Sequence, residues 1–194
     1  MAFIVISAGL PRSGSTWQFN AARLILDQAG TKYYAAWVKD YDPTRPEPVH
    51  LIKAHQFRTI PAHYDKIIYS HRKIEECLAS LMRVGWLPET ASAVKQRRAM
   101  FRKMHWKWLL KAHARISYRN LKRQPGKMVQ TIGKALGHPL TTSEADSLAV
   151  AIDALGSKTR KTIDQVTQLR PDHRSDGSYQ EDYLARVRAL LREK

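Results

Sequence analysis

A glycine-rich turn between an apolar run and a helical pattern constrains the fold of this chain more than any other feature. The run Phe3 to Ser7 contains β-branched residues and predicts a strand, and a helical pattern follows from Gly14 to about Ala29. Between the two lies the segment Gly9-Leu10-Pro11-Arg12-Ser13-Gly14-Ser15-Thr16. Backbone N–H groups in such a turn, with the positive end of a helix behind them, form a cradle for an anion. The sequence therefore predicts a phosphate-binding unit of strand, turn and helix.

The rest of the chain continues the alternation of strands and helices. Further β-branched runs at 50–53, 66–70 and 115–118 predict strands. Helical patterns are found at about residues 73–83, 89–114, 126–136, 142–155 and 180–192. This order favours a parallel sheet covered by helices, and 194 residues are few for two full-sized domains. We therefore expect one α/β domain over residues 1–194, a three-layer sandwich around a small parallel sheet.

The charge of the chain indicates an anionic partner. Lys and Arg number 33 against 17 Asp and Glu, which gives a net charge of +16 with neutral histidines. Much of the excess lies in the basic segment, residues 95–127. A charge of this size attracts nucleic acids, acidic glycans, anionic membranes or phosphorylated small molecules, and charge alone does not choose among them.

Several features of the sequence bear on the compartment and on metals. The first residues lack the basic region of a signal peptide, and no apolar run reaches the roughly 20 residues of a membrane span. The single cysteine, Cys77, excludes an internal disulfide and fits a reducing compartment. No His, Asp or Glu cluster has metal-ligand spacing. We expect a cytoplasmic protein with no membrane anchor and no metal.

The turn differs from the phosphate loop of ATP-binding enzymes at one position. Gly9 and Gly14 have the spacing of the motif G-x-x-x-x-G-K-[ST], but Ser15 stands where the lysine should be. That lysine holds the β and γ phosphates of a nucleoside triphosphate. The turn instead offers the cation Arg12 and three hydroxyl groups, so it suits a doubly anionic group better than Mg-ATP. A kinase-like or other nucleotide-binding enzyme whose lysine has moved remains an alternative.

The segment from Pro11 to Trp17 resembles a known signature. It matches P-[KR]-[ST]-G-[ST]-T-W, the 5′-phosphosulfate loop of the PAPS-dependent sulfotransferases (PAPS is 3′-phosphoadenosine 5′-phosphosulfate). The resemblance implies that the loop holds the 5′-phosphate and that Arg12 sits on the bridging oxygen between phosphate and sulfate. It implies that Trp17 stacks near the adenine. The loop residues concerned are Pro11, Arg12, Ser13, Gly14, Ser15 and Thr16.

Further matches follow in the order expected for this family. Ile52-Lys53-Ala54-His55 resembles the family's K-T-H, which implies that His55 is the general base and that Lys53 stabilises the moving sulfuryl group. Histidine suits this task because its ordinary pKa of about 6.5 lets it accept a proton near neutrality. Arg72 and Ser80, eight residues apart, resemble the 3′-phosphate signature. Arg offers a charged fork for that phosphate, and Ser offers a neutral donor.

Two weaker matches complete the resemblance. Tyr118 stands at the end of a predicted strand, as in the family's Y-E-D-L, and would lie near the adenine. Arg174, in the segment 173–179, resembles weakly the late R-K-G segment that closes over the 3′-phosphate. The family resemblance therefore implies transfer of a sulfuryl group from PAPS, without metal, to a hydroxyl or amine acceptor. The product would be adenosine 3′,5′-bisphosphate. Neither the identity of the acceptor nor an oligomeric state is implied.

The basic segment leaves a second alternative, a non-enzymatic nucleic-acid-binding protein. Such a protein would use its positive charge and the interleaved aromatic residues Phe101, Trp106, Trp108 and Tyr118. Most of these aromatics fall at helical spacing in a stripe with Leu109 and Leu110, which favours a core role and makes nucleic acid the weaker hypothesis. In the enzyme, the same basic segment would attract an acceptor that carries negative charge.

Overall fold

The computed structural model describes residues 2–155, 167 and 180–193, in which five strands form one parallel sheet. The strand order is β2-β3-β1-β4-β5, and every neighbouring pair is parallel. The strands are β1 (Phe3–Gly9), β2 (Tyr33–Trp37), β3 (Val49–Ala54), β4 (Lys66–His71) and β5 (Ala114–Ser117). The predicted α/β fold with a parallel sheet is therefore confirmed.

Helices cover both faces of this sheet. They are α1 (Ser15–Gln28), α2 (Ile74–Arg83), α3 (Ala91–Lys111), α4 (Tyr118–Arg123), α5 (Pro125–Leu136), α6 (Thr142–Leu155) and α7 (Gln180–Arg192), with a short 3-10 helix at Phe57–Thr59. Helices α1, α5 and α6 pack over strand residues such as Val5 and Ile68. On the opposite face, Trp108 of α3 packs with residues such as Ile52. Alternate residues of the strands thus enter two separate cores.

The ends of several elements follow local sequence signals. The Thr141 amide donates to the Glu144 carboxylate over 2.8 Å, and the Glu144 amide donates back to the Thr141 hydroxyl over 3.3 Å. This reciprocal pair is a capping box at the start of α6, with the Thr-x-x-Glu spacing of that motif. Gly137 ends α5 in the left-handed conformation, with φ of 81°, which is the usual conformation of a glycine C-cap. In the described part of the chain no helix is both long and apolar enough to cross a membrane.

The structure differs from the sequence prediction in three places. Strand β2 was not predicted. Tyr118 does not end strand β5 but begins α4, because β5 stops at Ser117. The stripe on α3 is only partly core: Phe101 and Trp108 are fully buried, whereas Trp106 is 58% exposed and Leu110 is 78% exposed. A helix packed on one side cannot bury apolar residues that point in several directions.

Parallel pairing brings the predicted site residues to one edge of the sheet. In the register of the strands, Ala8 lies beside Ala54 and Gly9 lies beside Ser70. Strands β1, β3 and β4 therefore all end at the same edge, where the loop before α1 begins. In parallel α/β sheets, ligands bind outside this carboxyl edge.

Candidate active site

The loop between β1 and α1 is packed too closely to admit a larger residue at its first position. A Cβ on Gly9 would lie 2.3 Å from Ser70 Oγ and 2.7 Å from Ser15 Cβ. Ser13 Oγ and Ser70 Oγ are 2.9 Å apart, so they share a hydrogen bond, and both residues are fully buried. Gly14 turns the chain into α1 with φ of 91°, a conformation that glycine adopts without strain. The loop is therefore a fixed structure anchored to β4.

Arg12 lies in this loop with an unusual backbone conformation. Its φ is 67°, in the left-handed region that residues with a Cβ seldom adopt. Its side chain extends toward α2, where Nε donates to Ser80 Oγ over 3.0 Å. The guanidinium carbon also lies 5.7 Å from the centre of the Trp86 ring. The residues predicted for the two phosphates thus meet each other in the structure.

Lys53 brings a second cation to the loop from strand β3. Its Nζ donates to Thr16 Oγ1 over 2.7 Å, and the residue is only 4% exposed. The ammonium group also lies 5.8 Å from the ring centres of Phe19 and Trp37. Because an ammonium group with few water contacts retains a strong field, Lys53 adds positive charge to a loop that lacks a lysine of its own.

His55 follows β3 and is oriented by the loop. Its Nδ1 lies 2.6 Å from the carbonyl oxygen of Gly9, and a carbonyl oxygen can only accept, so Nδ1 carries the proton. In the neutral ring, Nε2 then holds the lone pair that can accept a proton. Trp37 packs edge-on against the imidazole with ring centres 4.9 Å apart, and Trp108 Nε1 donates to the His55 carbonyl over 3.2 Å.

Arg72 is held beside the loop by three partners. Its Nε donates to the Glu76 carboxylate over 2.9 Å, and Nη1 donates to the Arg12 carbonyl over 3.4 Å. The guanidinium carbon lies 4.1 Å above the centre of the Tyr118 ring, and the side chain is only 6% exposed. These contacts fix the fork of Arg72 against the loop at Arg12, which itself contacts Ser80, so the structure brings the predicted 5′ and 3′ phosphate residues together.

The remaining predicted residues fall in different places. Trp17 lies in the first turn of α1, and its Nε1 donates to the Asp153 carboxylate of α6 over 2.9 Å. Tyr118 lies beside the loop, because its ring is 3.1 Å from the Cβ position of Gly14. Arg174 lies outside the described residues. No group of three potential metal ligands occurs within residues 2–155, 167 and 180–193.

Four residues that the sequence analysis did not assign to the site support it. Ser70 anchors the loop, while Trp37 and Trp108 hold His55. Gln18 Nε2 donates to Ser7 Oγ, Ala8 O and Ile68 O, which ties the start of α1 to strands β1 and β4. Only Gln18 carries a signal in the sequence, since a polar residue in a buried helix turn requires partners.

A histidine pair lies further along the same edge. His71 ends β4 and His105 lies on α3, with ring centres 6.3 Å apart. Burial lowers the pKa of both imidazoles, and electrostatic interactions with His105, when it is protonated, and with Arg115 lower the pKa of His71 further. His105 Nδ1 is also 2.7 Å from the hydroxyl of Tyr69, whose pKa burial raises. Both histidines are therefore neutral near pH 7.

Comparison by sequence finds no related protein, either among protein-family models or among curated proteins. Comparison by structure finds clear neighbours. The mouse sulfotransferase SULT7A1, complexed with PAP, is 16% identical; the match covers 97% of this chain and 81% of that chain, with a TM-score of 0.69.

Retinol dehydratase matches twice, once with androsterone and the inactive cofactor PAP and once with retinol and PAP. The identities are 14% and 13%, the matches cover 98% of this chain and 81% and 82% of theirs, and the TM-scores are 0.58 and 0.56. The resemblance found in the motifs is thus matched by the whole architecture, and the chain has the sulfotransferase fold.

Proposed function

We propose that this protein transfers a sulfuryl group from PAPS to a hydroxyl or amine acceptor. The observation that carries the proposal is the convergence of Arg12, Lys53 and Arg72 on one phosphate-type loop, at the sheet edge where His55 also lies. The structural neighbours were crystallised with PAP, and two of them also held androsterone or retinol. These ligands support a nucleotide donor and a hydroxyl acceptor here.

The residues present fit the two phosphates of the nucleotide. The loop from Pro11 to Thr16 would hold the 5′-phosphate with backbone N–H groups and hydroxyls. Arg72 and Ser80, both nearly buried, would hold the 3′-phosphate, with Arg174 as a further candidate. Trp17 and Tyr118 are the candidates for contact with adenine. A charged fork and a neutral hydroxyl at one point are what a phosphate dianion requires.

His55 would act as the general base. Its Nε2 would take the proton of the acceptor hydroxyl as the acceptor oxygen bonds to sulfur and the bond from sulfur to the bridging oxygen breaks. The electron pair of that bond remains on the 5′-phosphate of the product, adenosine 3′,5′-bisphosphate. Lys53 and Arg12 would stabilise the negative charge that develops on the bridging and sulfuryl oxygens. This chemistry requires no metal. The reduced, buried Cys77 is consistent with a cytoplasmic site of action.

A thermal-shift comparison of two nucleotides tests this function. Adenosine 3′,5′-bisphosphate at 100 times its dissociation constant should stabilise the protein by about 2.7 kcal/mol, which is about 5–10 °C for a chain of this size. ATP with Mg²⁺ should give a much smaller shift, because the loop has no lysine at Ser15. A larger shift with ATP and Mg²⁺, or none with the bisphosphate, would replace this proposal with the kinase-like alternative.

A further inference from the structure

A positively charged cleft lies next to the candidate active site. It occupies about 440 Å³ between the end of β4, the start of α2 and the middle of α3. This volume lies within the range of small-molecule binding sites. The side chains that carry charge around it are Arg72, Lys73, Glu75, Arg98 and Arg102. Four basic groups against one carboxylate make the cleft a site for anions.

The charges that can reach a ligand come from Lys73 and Arg102. Arg98 is paired with Glu75, with Nε 3.2 Å from Oε1, and Arg72 is paired with Glu76. Within the described ranges, no carboxylate forms an ion pair with Lys73 or Arg102. Both are exposed residues at the rim of the cleft. An anion that enters the cleft therefore meets two cations whose charge no neighbouring carboxylate offsets.

Helix α3 connects this cleft with His55. Trp108 donates to the His55 carbonyl, and His105, one turn earlier, lines the cleft. Arg102 and Arg98 follow on the same face, because the spacings of three and four residues repeat once a turn. At 1.5 Å per residue, Arg102 lies about 9 Å and Arg98 about 15 Å along the helix from Trp108. The two α3 arginines of the cleft therefore lie about 9–15 Å along the helix from the residue that contacts the His55 backbone.

We propose that this cleft binds an anionic group of the acceptor, a carboxylate, sulfate or phosphate, while the reacting hydroxyl lies at His55. The proposal rests on the sulfotransferase function and names the class of acceptor: elongated and anionic, with its charge about two to three helical turns from the hydroxyl. Among the described residues, the cleft shares Arg72 alone with the predicted phosphate sites, and the guanidinium of Arg72 faces Tyr118 and the Arg12 carbonyl.

Two matched acceptors and two matched variants test this site. The acceptors are 6-(4-hydroxyphenyl)hexanoate and the corresponding primary amide. The two have nearly the same shape, but only the first carries a negative charge. The variants are Arg102→Gln, within the cleft, and Lys103→Gln, which removes the same charge from the next residue of α3 outside it. Binding to the complex with adenosine 3′,5′-bisphosphate is measured by calorimetry, and transfer from PAPS is measured as kcat/KM.

The wild type and Lys103→Gln should prefer the acid by about tenfold, the effect of a charge-assisted contact, and Arg102→Gln should lose this preference. Equal binding of acid and amide to the wild type, no binding of the acid, or equal losses in both variants would overturn the anionic cleft. If the bisphosphate fails to bind, the sulfotransferase function fails instead. The contrast between Arg102→Gln and Lys103→Gln in binding the acid alone still tests the cleft.

Discussion

At the scale of single residues, one backbone carbonyl decides which nitrogen of His55 can act as a base. The Gly9 carbonyl accepts a hydrogen bond from Nδ1 and so holds the proton on that nitrogen. The lone pair that can take up a proton is therefore on Nε2. The same residue is also the point of closest packing in the loop. Gly9 therefore links the geometry of phosphate binding to the protonation state of the proposed base.

His55→Ala should lower kcat by about 10²–10⁴-fold, the usual contribution of a general base. Binding of adenosine 3′,5′-bisphosphate should stay near the wild-type value, because the contacts of the imidazole with described residues include the Gly9 carbonyl and the Trp37 ring, and neither Gly9 nor Trp37 is a predicted phosphate contact. The control is His63→Ala, because the side chain of His63 is 66% exposed and has no proposed role in the reaction. A wild-type kcat in the His55 variant would remove His55 from the mechanism.

Gly9→Ala should destabilise the protein by about 1–3 kcal/mol and abolish the nucleotide-induced thermal shift. The added methyl group must displace Ser70 or Ser15, neither of which can move without disturbing the loop. Gly30→Ala is the control, since its Cβ meets no atom within 4 Å and only the positive φ of 62° causes strain. Urea unfolding and thermal shift measure both variants. An equal loss of stability in both variants would show that the close packing of Ser70 and Ser15 around Gly9 is unimportant.

At the scale of elements, the junction of β4 and α3 makes stability depend on pH. His71 and His105 have pKa values below the ordinary 6.5, so below pH 6.5 the unfolded chain binds more protons than the folded one. The free energy of unfolding should therefore fall as pH decreases from about 6.5. The slope should not exceed about 1.4 kcal/mol per pH unit for each histidine.

Urea unfolding between pH 5.0 and 7.5 measures this slope, in a range above the titration of carboxylates such as Glu144, whose pKa the Thr141 hydrogen bonds lower. The double variant His71→Gln, His105→Gln should show a flatter profile than the wild type. An unchanged slope in the double variant would assign the pH dependence to other groups.

Some elements could be predicted from the sequence because their signals are local. The loop before α1 and the capping box of α6 each lie within a few residues. Strand β2 carries no such signal, since its central alanines have low strand propensity and it is stabilised by pairing with β3 alone at the edge of the sheet. Tyr118 was placed on a strand because nothing in the sequence marks where β5 ends and α4 starts.

The residues of the site also divide into those with a local signal in the sequence and those without one. Pro11 to Trp17, Lys53, His55 and Arg72 could be singled out by motif. The contact between Arg12 and Ser80 and the hydrogen bond between Ser13 and Ser70 depend on how β4 and α2 pack against the loop. The spacing of residues along the sequence does not give the distance between side chains that are this far apart in the chain. The direction of Arg98, Arg102 and His105 into one cleft likewise appears only once α3 is packed on the sheet.

At the scale of the whole molecule, charge is distributed very unevenly along the chain. Residues 90–143 contain 13 Lys and Arg and no Asp or Glu. Such a field raises the encounter rate with any polyanion, whether or not it is the substrate. Binding that reflects this field alone must be distinguished from binding at the site.

Affinity for a single-stranded oligonucleotide should fall about a hundredfold between 50 and 200 mM salt, the effect of roughly five phosphate contacts. Affinity for adenosine 3′,5′-bisphosphate should fall less, because Lys53 and Arg72 are nearly buried and therefore less screened. Fluorescence anisotropy and calorimetry give the two dependences. A steep salt dependence for the oligonucleotide, together with no binding of the bisphosphate, would favour the nucleic-acid-binding alternative.

The left-handed backbone at Arg12 has a consequence for the energetics of recognition. A residue with a Cβ in this region carries strain of order 1 kcal/mol or more, which the contacts of Arg12 with Ser80 and Arg72 must offset within the fold. The recognition loop is thus shaped during folding, before any nucleotide arrives. A rigid, ready-made receptor loses little entropy on association, so the strain at Arg12 would lower intrinsic stability and in return tighten the binding of the proposed donor.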